Sequence, residues 1–142
     1  MAVTTEEANA YIKERAFFVP RFLGTLTAAG VTEGPMRFAD YYTTVFGDGA
    51  IPRRLKELMF VAIGVSYRSP ACLVHVIPAI EAGATDGEIF EAINVGVNAA
   101  GFVPGGPGIP YAFQYAVKVL EIASKYRKGE PWEYVQPAEF KM

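Results

Sequence analysis

The residues most able to do chemistry are few, and two of them occur once. Cys72 is the single cysteine and His75 the single histidine among the 142 residues, and they lie three positions apart. On a helix this spacing puts both side chains on one face, where they can touch. Cys72 would then lie in the first turn, where free backbone N–H groups, the helix dipole and a protonated His75 favour a thiolate. The alternative is structural, because lone cysteines are often small core residues and lone histidines are often satisfied hydrogen-bonding groups.

Glu57 is the candidate acid–base partner of His75. It lies one helical turn after Arg53 and directly before the apolar run 58–65, so it is placed where a surface face meets the core. A carboxylate at that boundary could act as a general base or could orient His75. The alternative is a solvated ion pair with Arg53 or Arg54. Asn94 is a further candidate for ligand contact, although hydrogen bonding at a helix contact is the simpler role for it.

Helices are the elements that must position these residues. Capping boxes at Thr4–Glu7 and Thr85–Glu88, together with proline and glycine punctuation, divide the chain into helical segments. The first predicted helix begins at residue 4 and ends or kinks at 20. The second covers 35–46, and the third runs from 52 through the apolar stretch 58–65. The last three cover 70–82, 85–100 and 111–126. The third should be buried on most sides. The pattern predicts a compact all-α bundle of about six helices.

Two of these helices carry finer predictions. In the helix over 70–82, Ser69 and Pro70 have the form of an N-cap followed by a first-turn proline, and Gly83 marks the end. Pro78 lies inside this helix and predicts a kink one turn after His75. In the last helix, the spacing predicts the following inward-facing residues: Phe113, Ala116, Val117, Leu120 and Ala123.

Composition narrows the class of protein and its partners. With 51% hydrophobic and 20% charged residues, the chain is expected to form one globular domain over 1–142. Its mean hydropathy of +0.19 favours a homo-oligomer, because one small core does not need that much apolar surface. A net charge of −2 without a basic cluster argues against nucleic acid, and the uncharged stretch 92–117 is too interrupted to span a membrane. One cysteine and no recognisable leader favour the cytoplasm.

Several short motifs follow one another between residues 35 and 117. They are Lys56-Glu57-Leu58 before an apolar helix, Ser69-Pro70-Ala71-Cys72 with His75, Ala79 and Gly83-Ala84-Thr85, and Ala99-Ala100-Gly101 before Pro104. In this order they resemble the carboxymuconolactone decarboxylase and alkylhydroperoxidase D superfamily. The resemblance implies an alkylhydroperoxidase D-like helical fold assembled into trimers or hexamers, with the site on the helices of Glu57 and Cys72. The family core would be 35–117, and 129–142 would form an extended tail.

The chain departs from the peroxidase branch of that superfamily. The branch carries a Cys-x-x-Cys pair and a histidine four residues after the second cysteine. Here Ser69 stands at the first cysteine position, Cys72 at the second, and His75 comes one residue early. Peroxide reduction would therefore stop at a sulfenic acid unless an external thiol or a second subunit restored the thiol. If His75 is aligned first, the cysteine positions fall on Arg68 and Ala71 instead.

Three functions from different classes follow. The first is a family enzyme doing acid–base chemistry, of decarboxylase or lactone type, on a small molecule, with His75 as proton carrier and Glu57 as its partner. The second is a single-cysteine alkylhydroperoxidase with peroxiredoxin-like antioxidant activity through Cys72, and the third is a non-catalytic oligomeric binder of small ligands. The predicted catalytic residues are Glu57, Cys72 and His75, and the predicted substrate-binding residues are Ser69, Arg68 and Asn94. No metal and no cofactor is predicted.

Overall fold

Helices are the regular secondary structure of the computed structural model, which describes residues 1–106 and 108–132. The helices in these ranges are α1 (Thr5–Ala16), α2 (Arg21–Ala28), α3 (Glu33–Phe46), α4 (Arg53–Tyr67), α5 (Pro70–Leu73), α6 (Val76–Glu81), α7 (Asp86–Ala100) and α8 (Ile109–Arg127). The all-α prediction is confirmed, with eight described helices where about six were expected. Most of the predicted tail 129–142 lies outside the described residues. Among the described helices, none combines the length and apolar character needed to cross a bilayer.

The first of two compact units covers Met1–Ala50 and contains α1, α2 and α3. Ile12, Leu23 and Ala39 form its buried centre. The predicted capping box is present, since the Thr4 N–H donates to the Glu7 carboxylate at 2.8 Å and the Glu7 N–H donates back to Thr4 Oγ1 at 3.1 Å. The sequence of α2 does not predict a helix, because its glycine and two threonines are weak helix formers. Tertiary packing overrides that preference. The expected single domain over 1–142 stays a prediction.

The second unit begins at Ile51 and is built around α4, which packs against α5, α6, α7 and α8. The crossing of α4 and α7 is close, because a Cβ added at Gly96 would lie 2.5 Å from the Ala62 carbonyl oxygen. The Ser66 hydroxyl donates across the same crossing to the Gly96 carbonyl at 2.9 Å. The predicted capping box of Thr85 and Glu88 opens α7. This close pair of helices forms the frame on which the candidate site is built.

Two helices are less buried than predicted. On α8, Ala116 and Ala123 are buried as predicted, but Phe113, Val117 and Leu120 are 54%, 58% and 40% exposed. The packed face of α8 also carries Ala112, Val119 and Ile122. Small side chains allow close helix approach, so the alanines mark the packed face better than the large apolar residues do. On α4, Met59 and Ile63 are 52% and 47% exposed, so this helix is buried on one side and not on most sides.

The helix predicted over 70–82 is interrupted at Val74 and His75, which separate α5 from α6. The predicted kink one turn after His75 is therefore wrong in position. A continuous helix would press the ring of Pro78 against the Val74 carbonyl. The Ile77 N–H donates to that carbonyl at 3.0 Å instead, and Pro78 falls in the first turn of α6, where its missing N–H needs no partner. The Ser69 N-cap position and the stop at Gly83, whose φ is +96°, are as predicted.

Candidate active site

Glu57 is a buried carboxylate on the packed side of α4. Its exposed fraction is 0%, and Leu58 and Val61 beside it are also buried. An isolated carboxylate in such surroundings would be strongly destabilising, so its oxygens need partners. Each oxygen has one: Arg53 Nε lies 3.4 Å from Oε1, and His75 Nδ1 lies 2.6 Å from Oε2. The carboxylate is therefore placed between a guanidinium and an imidazole.

His75 is held by the backbone break and by an aromatic ring. The backbone N–H of His75 donates to the Cys72 carbonyl at 3.2 Å, and the backbone carbonyl of His75 accepts from the Ala79 N–H at 3.1 Å. Phe60 on α4 meets the imidazole edge-on, with ring centroids 4.4 Å apart and an interplanar angle of 65°. The His75 side chain is 15% exposed, so part of the ring can be reached from outside. Glu57 and Phe60 therefore orient an imidazole that stays accessible.

The contact between Glu57 and His75 determines what the imidazole can do. An ionised carboxylate only accepts hydrogen bonds, so it places the imidazole proton on Nδ1 and the lone pair of the neutral ring on Nε2. A proton taken up at Nε2 would create an imidazolium, which the carboxylate stabilises across 2.6 Å. This is the arrangement of a proton carrier with an orienting carboxylate. Among the described residues, no group of three His, Cys, Asp or Glu side chains could hold a metal ion.

Cys72 lies on α5 with its thiol directed to Ser69. The distance from Sγ to the Ser69 Oγ is 3.2 Å, and Cys72 is half-buried. The residue packs against α4 at Gly64, where an added Cβ would lie 2.4 Å from the Cys72 Cβ. The three-residue spacing predicts that Cys72 can touch His75. In the structure the thiol bonds to Ser69, and the imidazole bonds to Glu57.

Arg68 and Asn94, both predicted to bind substrate, occupy exposed positions. Arg68 ends α4 in the left-handed backbone region, with φ of 55°. Burial raises the pKa of Tyr115, and the guanidinium of Arg68 opposes that rise, so the two groups lie within electrostatic reach. Asn94 is on α7 beside the buried Ile93. The structure thus groups Glu57 with His75, and the predicted substrate contacts of Arg68 and Asn94 stay predictions.

The model of the carboxymuconolactone decarboxylase family matches residues 32–118, more than half of the chain. The chain belongs to the carboxymuconolactone decarboxylase family. The matched segment contains Glu57, Cys72 and His75, and it nearly coincides with the predicted core 35–117. This confirms the resemblance drawn from the sequence motifs. Comparisons with curated proteins and with solved structures gave no significant match.

Two residues that shape the site of this family member were not predicted. Phe60 contacts the imidazole edge-on, and its place three residues after Glu57 on one helix could have indicated a shared face. Gly64 lets α5 approach α4, and a glycine inside an otherwise apolar helix is a known sign of close backbone approach. The sequence predicts Arg53 only as a partner of Glu57 in a solvated ion pair. In the structure Arg53 instead contacts a carboxylate that is 0% exposed, so the pair is shielded from solvent.

Proposed function

We propose that this member of the carboxymuconolactone decarboxylase family is an enzyme doing acid–base chemistry, of decarboxylase or lactone type, on a small molecule. The observation that supports this proposal is the 2.6 Å contact between His75 Nδ1 and Oε2 of the buried Glu57. Burying a carboxylate requires that its lost hydration be compensated, which makes it a demanding way to hold a purely structural histidine. Buried titratable pairs beside an accessible ring are typical of catalytic sites.

The chemistry assigns one role to each residue of the pair. When a carboxylated lactone loses CO2, the C–C bond breaks and its electron pair moves into the conjugated lactone carbonyl. The carbon skeleton must then regain a proton. His75 takes up a proton from solution at Nε2 and donates it to the carbon of the conjugated system that must be protonated after CO2 is lost. Glu57 stabilises the transient imidazolium and keeps Nδ1–H in place. Glu57 acts through His75 and is therefore a positioning residue.

The test is turnover of carboxymuconolactone and related carboxylated lactones, followed by CO2 release and loss of the lactone. His75→Gln should lower kcat by about 100-fold or more, the usual contribution of a proton-transfer group. Circular dichroism checks that the variant folds. Cys72→Ser should lose much less rate than His75→Gln. Equal rates in wild type and His75→Gln, or no turnover of any such lactone by the wild type, would overturn the proposal.

A single-cysteine alkylhydroperoxidase is the second candidate, and the half-buried thiol beside the Ser69 hydroxyl favours it. The Cys72 thiolate would attack the peroxide O–O bond, giving a sulfenic acid on Cys72 and an alcohol. Two equivalents of an external thiol would then reduce the sulfenic acid back to the thiol, and the external thiols would leave as their own disulfide, with water as the second product. Repeated peroxide turnover with a dithiol reductant that is lost in Cys72→Ser would replace the first proposal. Consumption of one equivalent followed by a stall would mark Cys72 as an oxidisable thiol without a cycle.

We also propose that the chain self-associates through its second unit, as the trimer or hexamer that the family resemblance implies. Four apolar side chains repeat every fourth residue along α4 and are between 40% and 66% exposed: Leu55, Met59, Ile63 and Tyr67. Such a stripe is typical of a protein interface. Sedimentation should show an oligomer at micromolar concentration. Ile63→Glu should dissociate it, whereas Val31→Glu, at an exposed apolar position of the first unit, should not.

A further inference from the structure

We infer that Arg68, together with the hydroxyl of Tyr115, binds a substrate carboxylate that takes no part in the reaction. The two side chains hold this group while His75 carries the proton. That the bound molecule is the substrate rests on the proposed function. That Arg68 binds a carboxylate rests on the backbone, the partners and the surroundings of Arg68 itself.

Arg68 occupies a backbone position at which glycine is the usual residue. Its φ is 55°, in the left-handed region, and it directly follows the last residue of α4. The Arg68 N–H donates to the Val65 carbonyl at 3.4 Å, and the Ser69 N–H donates to the Gly64 carbonyl at 2.8 Å. This is the Schellman arrangement, in which glycine avoids the steric cost that a side chain imposes. An arginine retained at such a position points to a use for its guanidinium.

The guanidinium of Arg68 has no acceptor within residues 1–106 and 108–132. Arg68 is exposed, and its side chain forms no hydrogen bond or ion pair in these ranges. The other arginines described in the second unit, Arg53, Arg54 and Arg127, each pair with a carboxylate. Arg68 is therefore the arginine of this unit whose charge is available to the carboxylate of a ligand.

Tyr115 supplies a second donor beside the guanidinium. Burial raises the pKa of Tyr115 and Arg68 opposes that rise, so the two groups lie within electrostatic reach of each other. The phenol keeps its proton at neutral pH, and it has no hydrogen-bond partner among the residues that the structure describes. Two neighbouring donors without an acceptor suit an anion, and a planar carboxylate can accept from both.

A short, connected segment leads from Arg68 to the proton carrier. Ser69 follows directly, and its hydroxyl accepts from the Cys72 thiol at 3.2 Å. The Cys72 carbonyl in turn accepts from the backbone N–H of His75 at 3.2 Å. The helix of Tyr115, α8, packs against α4, α5 and α6, the elements that flank Arg68 and His75. A carboxylate bound at Arg68 is thus held by the elements that position the imidazole.

The experiment is calorimetric binding of an unsaturated five-membered lactone with a carboxymethyl side chain, and of its methyl ester. Neither compound contains the carboxylate that leaves as CO2, so both bind without turnover, and they differ in one negative charge. The wild type should bind the acid about tenfold or more tightly than the ester, the usual contribution of a charge-assisted hydrogen bond. Arg68→Gln should bind both compounds equally. Tyr115→Phe should lose a smaller part of the preference.

Arg21 provides the matched control. Its side chain is likewise exposed and pairs with no residue in the described ranges, but it lies on α2 of the first unit. Arg21→Gln changes the net charge of the protein as much as Arg68→Gln does. It should keep the wild-type ratio of the two dissociation constants.

Arg68→Gly separates binding from stability. Because glycine suits a φ of 55°, this variant should unfold at a denaturant concentration at least as high as that of the wild type. It should nevertheless lose the preference for the acid. A marked loss of stability would assign the arginine to the fold and overturn the inference.

The binding results distinguish this inference from the proposed function. An unchanged ratio in Arg68→Gln, or an equal loss in Arg21→Gln, would overturn the inference. A wild type that turns over carboxylated lactones but does not prefer the acid would contradict the inference alone. A wild type that prefers the acid through Arg68 but converts no lactone would contradict the proposed function alone, and binding of neither compound without turnover would contradict both.

Discussion

The Glu57–His75 pair and the Cys72–Ser69 pair differ in range, burial and charge. The first joins residues 18 positions apart and pairs an imidazole with a carboxylate that is 0% exposed. The second joins residues three positions apart, is half-buried, and pairs a thiol with a hydroxyl. A contact between residues so far apart in the sequence forms only when α4 and the α5–α6 segment are packed together. The tertiary fold therefore brings the first pair together, whereas a local turn brings the second pair together.

Removal of Glu57 should have the largest effect on stability. Glu57→Ala leaves Arg53 and His75 facing a poorly hydrated site without their carboxylate, so the free energy of unfolding should fall by about 3 kcal/mol. Chemical denaturation measures this loss. Glu33→Ala is the control, because Glu33 pairs with Arg37 at the same i,i+4 spacing while their side chains are 77% and 78% exposed. It should leave stability unchanged, and equal losses would make Glu57 an ordinary ion-pair residue.

Gly64 provides a test of the contact that holds the thiol pair against α4. In Gly64→Ala the new Cβ would lie 2.4 Å from the Cys72 Cβ, so α5 must move, and stability should fall by about 2 kcal/mol. The rate at which a thiol reagent modifies Cys72 should also change. Gly34→Ala on α3 is the control, since nothing lies within 4 Å of its added Cβ. If both variants unfold at the same denaturant concentration, the close approach at Gly64 is unimportant.

Ser69→Cys should complete the redox pair that the wild type lacks. The Ser69 oxygen lies 3.2 Å from Sγ of Cys72, so a sulfur in its place needs only a small movement to form a disulfide. Mild oxidation should remove both free thiols and lower the mass by two hydrogens, without forming dimers on a non-reducing gel. Ser124→Cys, at an exposed position of α8, is the control and should keep its thiols under the same conditions. Two retained thiols in Ser69→Cys would contradict the observed proximity.

The smallest effect comes from a different hydrogen-bonded pair in the second unit. Tyr126 donates to the Glu81 carboxylate, and burial, reinforced by Glu81, raises the pKa of Tyr126 from 10.0 to about 12. Because the folded-state pKa is the higher one, the stabilisation is complete below pH 10 and is lost as pH rises towards 12. Tyr126→Phe should weaken this alkaline decline in Tm. An identical decline in both proteins would assign it to other groups.

Short sequence patterns were sufficient to predict those features that are formed by residues close together in the chain. Both capping boxes, at Thr4 and Thr85, are formed as predicted, because they depend on residues three positions apart. The buried residues of α7 also recur at helical spacing, as Ile89, Ile93 and Val97 show. The apolar residues of α8 lie on more than one face, and only its packing partners determine that Ala116 is buried and Val117 exposed.

Part of the candidate site could be predicted, since the sequence suggested Glu57 as the partner of His75 and the two side chains are 2.6 Å apart. Lone residues such as Cys72 and His75 attract attention by type, and the three-residue spacing suggested contact between them. Contact at that spacing depends on a continuous helix, and the break caused by Pro78 interrupts the helix between Cys72 and the residues after His75. The contact of Glu57 with His75 spans 18 residues and depends on how α4 packs, which no short spacing contains.

The break between α5 and α6 also bears on how sequences of this kind can diverge. Adding one residue inside a continuous helix rotates everything beyond it by about 100° and moves each buried side chain off its face. Val74 and His75 lie outside both helices, so a residue added beside them would lengthen a turn and leave the register of α6 unchanged. The one-residue difference from the cysteine-to-histidine spacing of the peroxidase branch falls in this turn. An evolutionary insertion or deletion here could exchange one spacing for the other while the helices keep their cores.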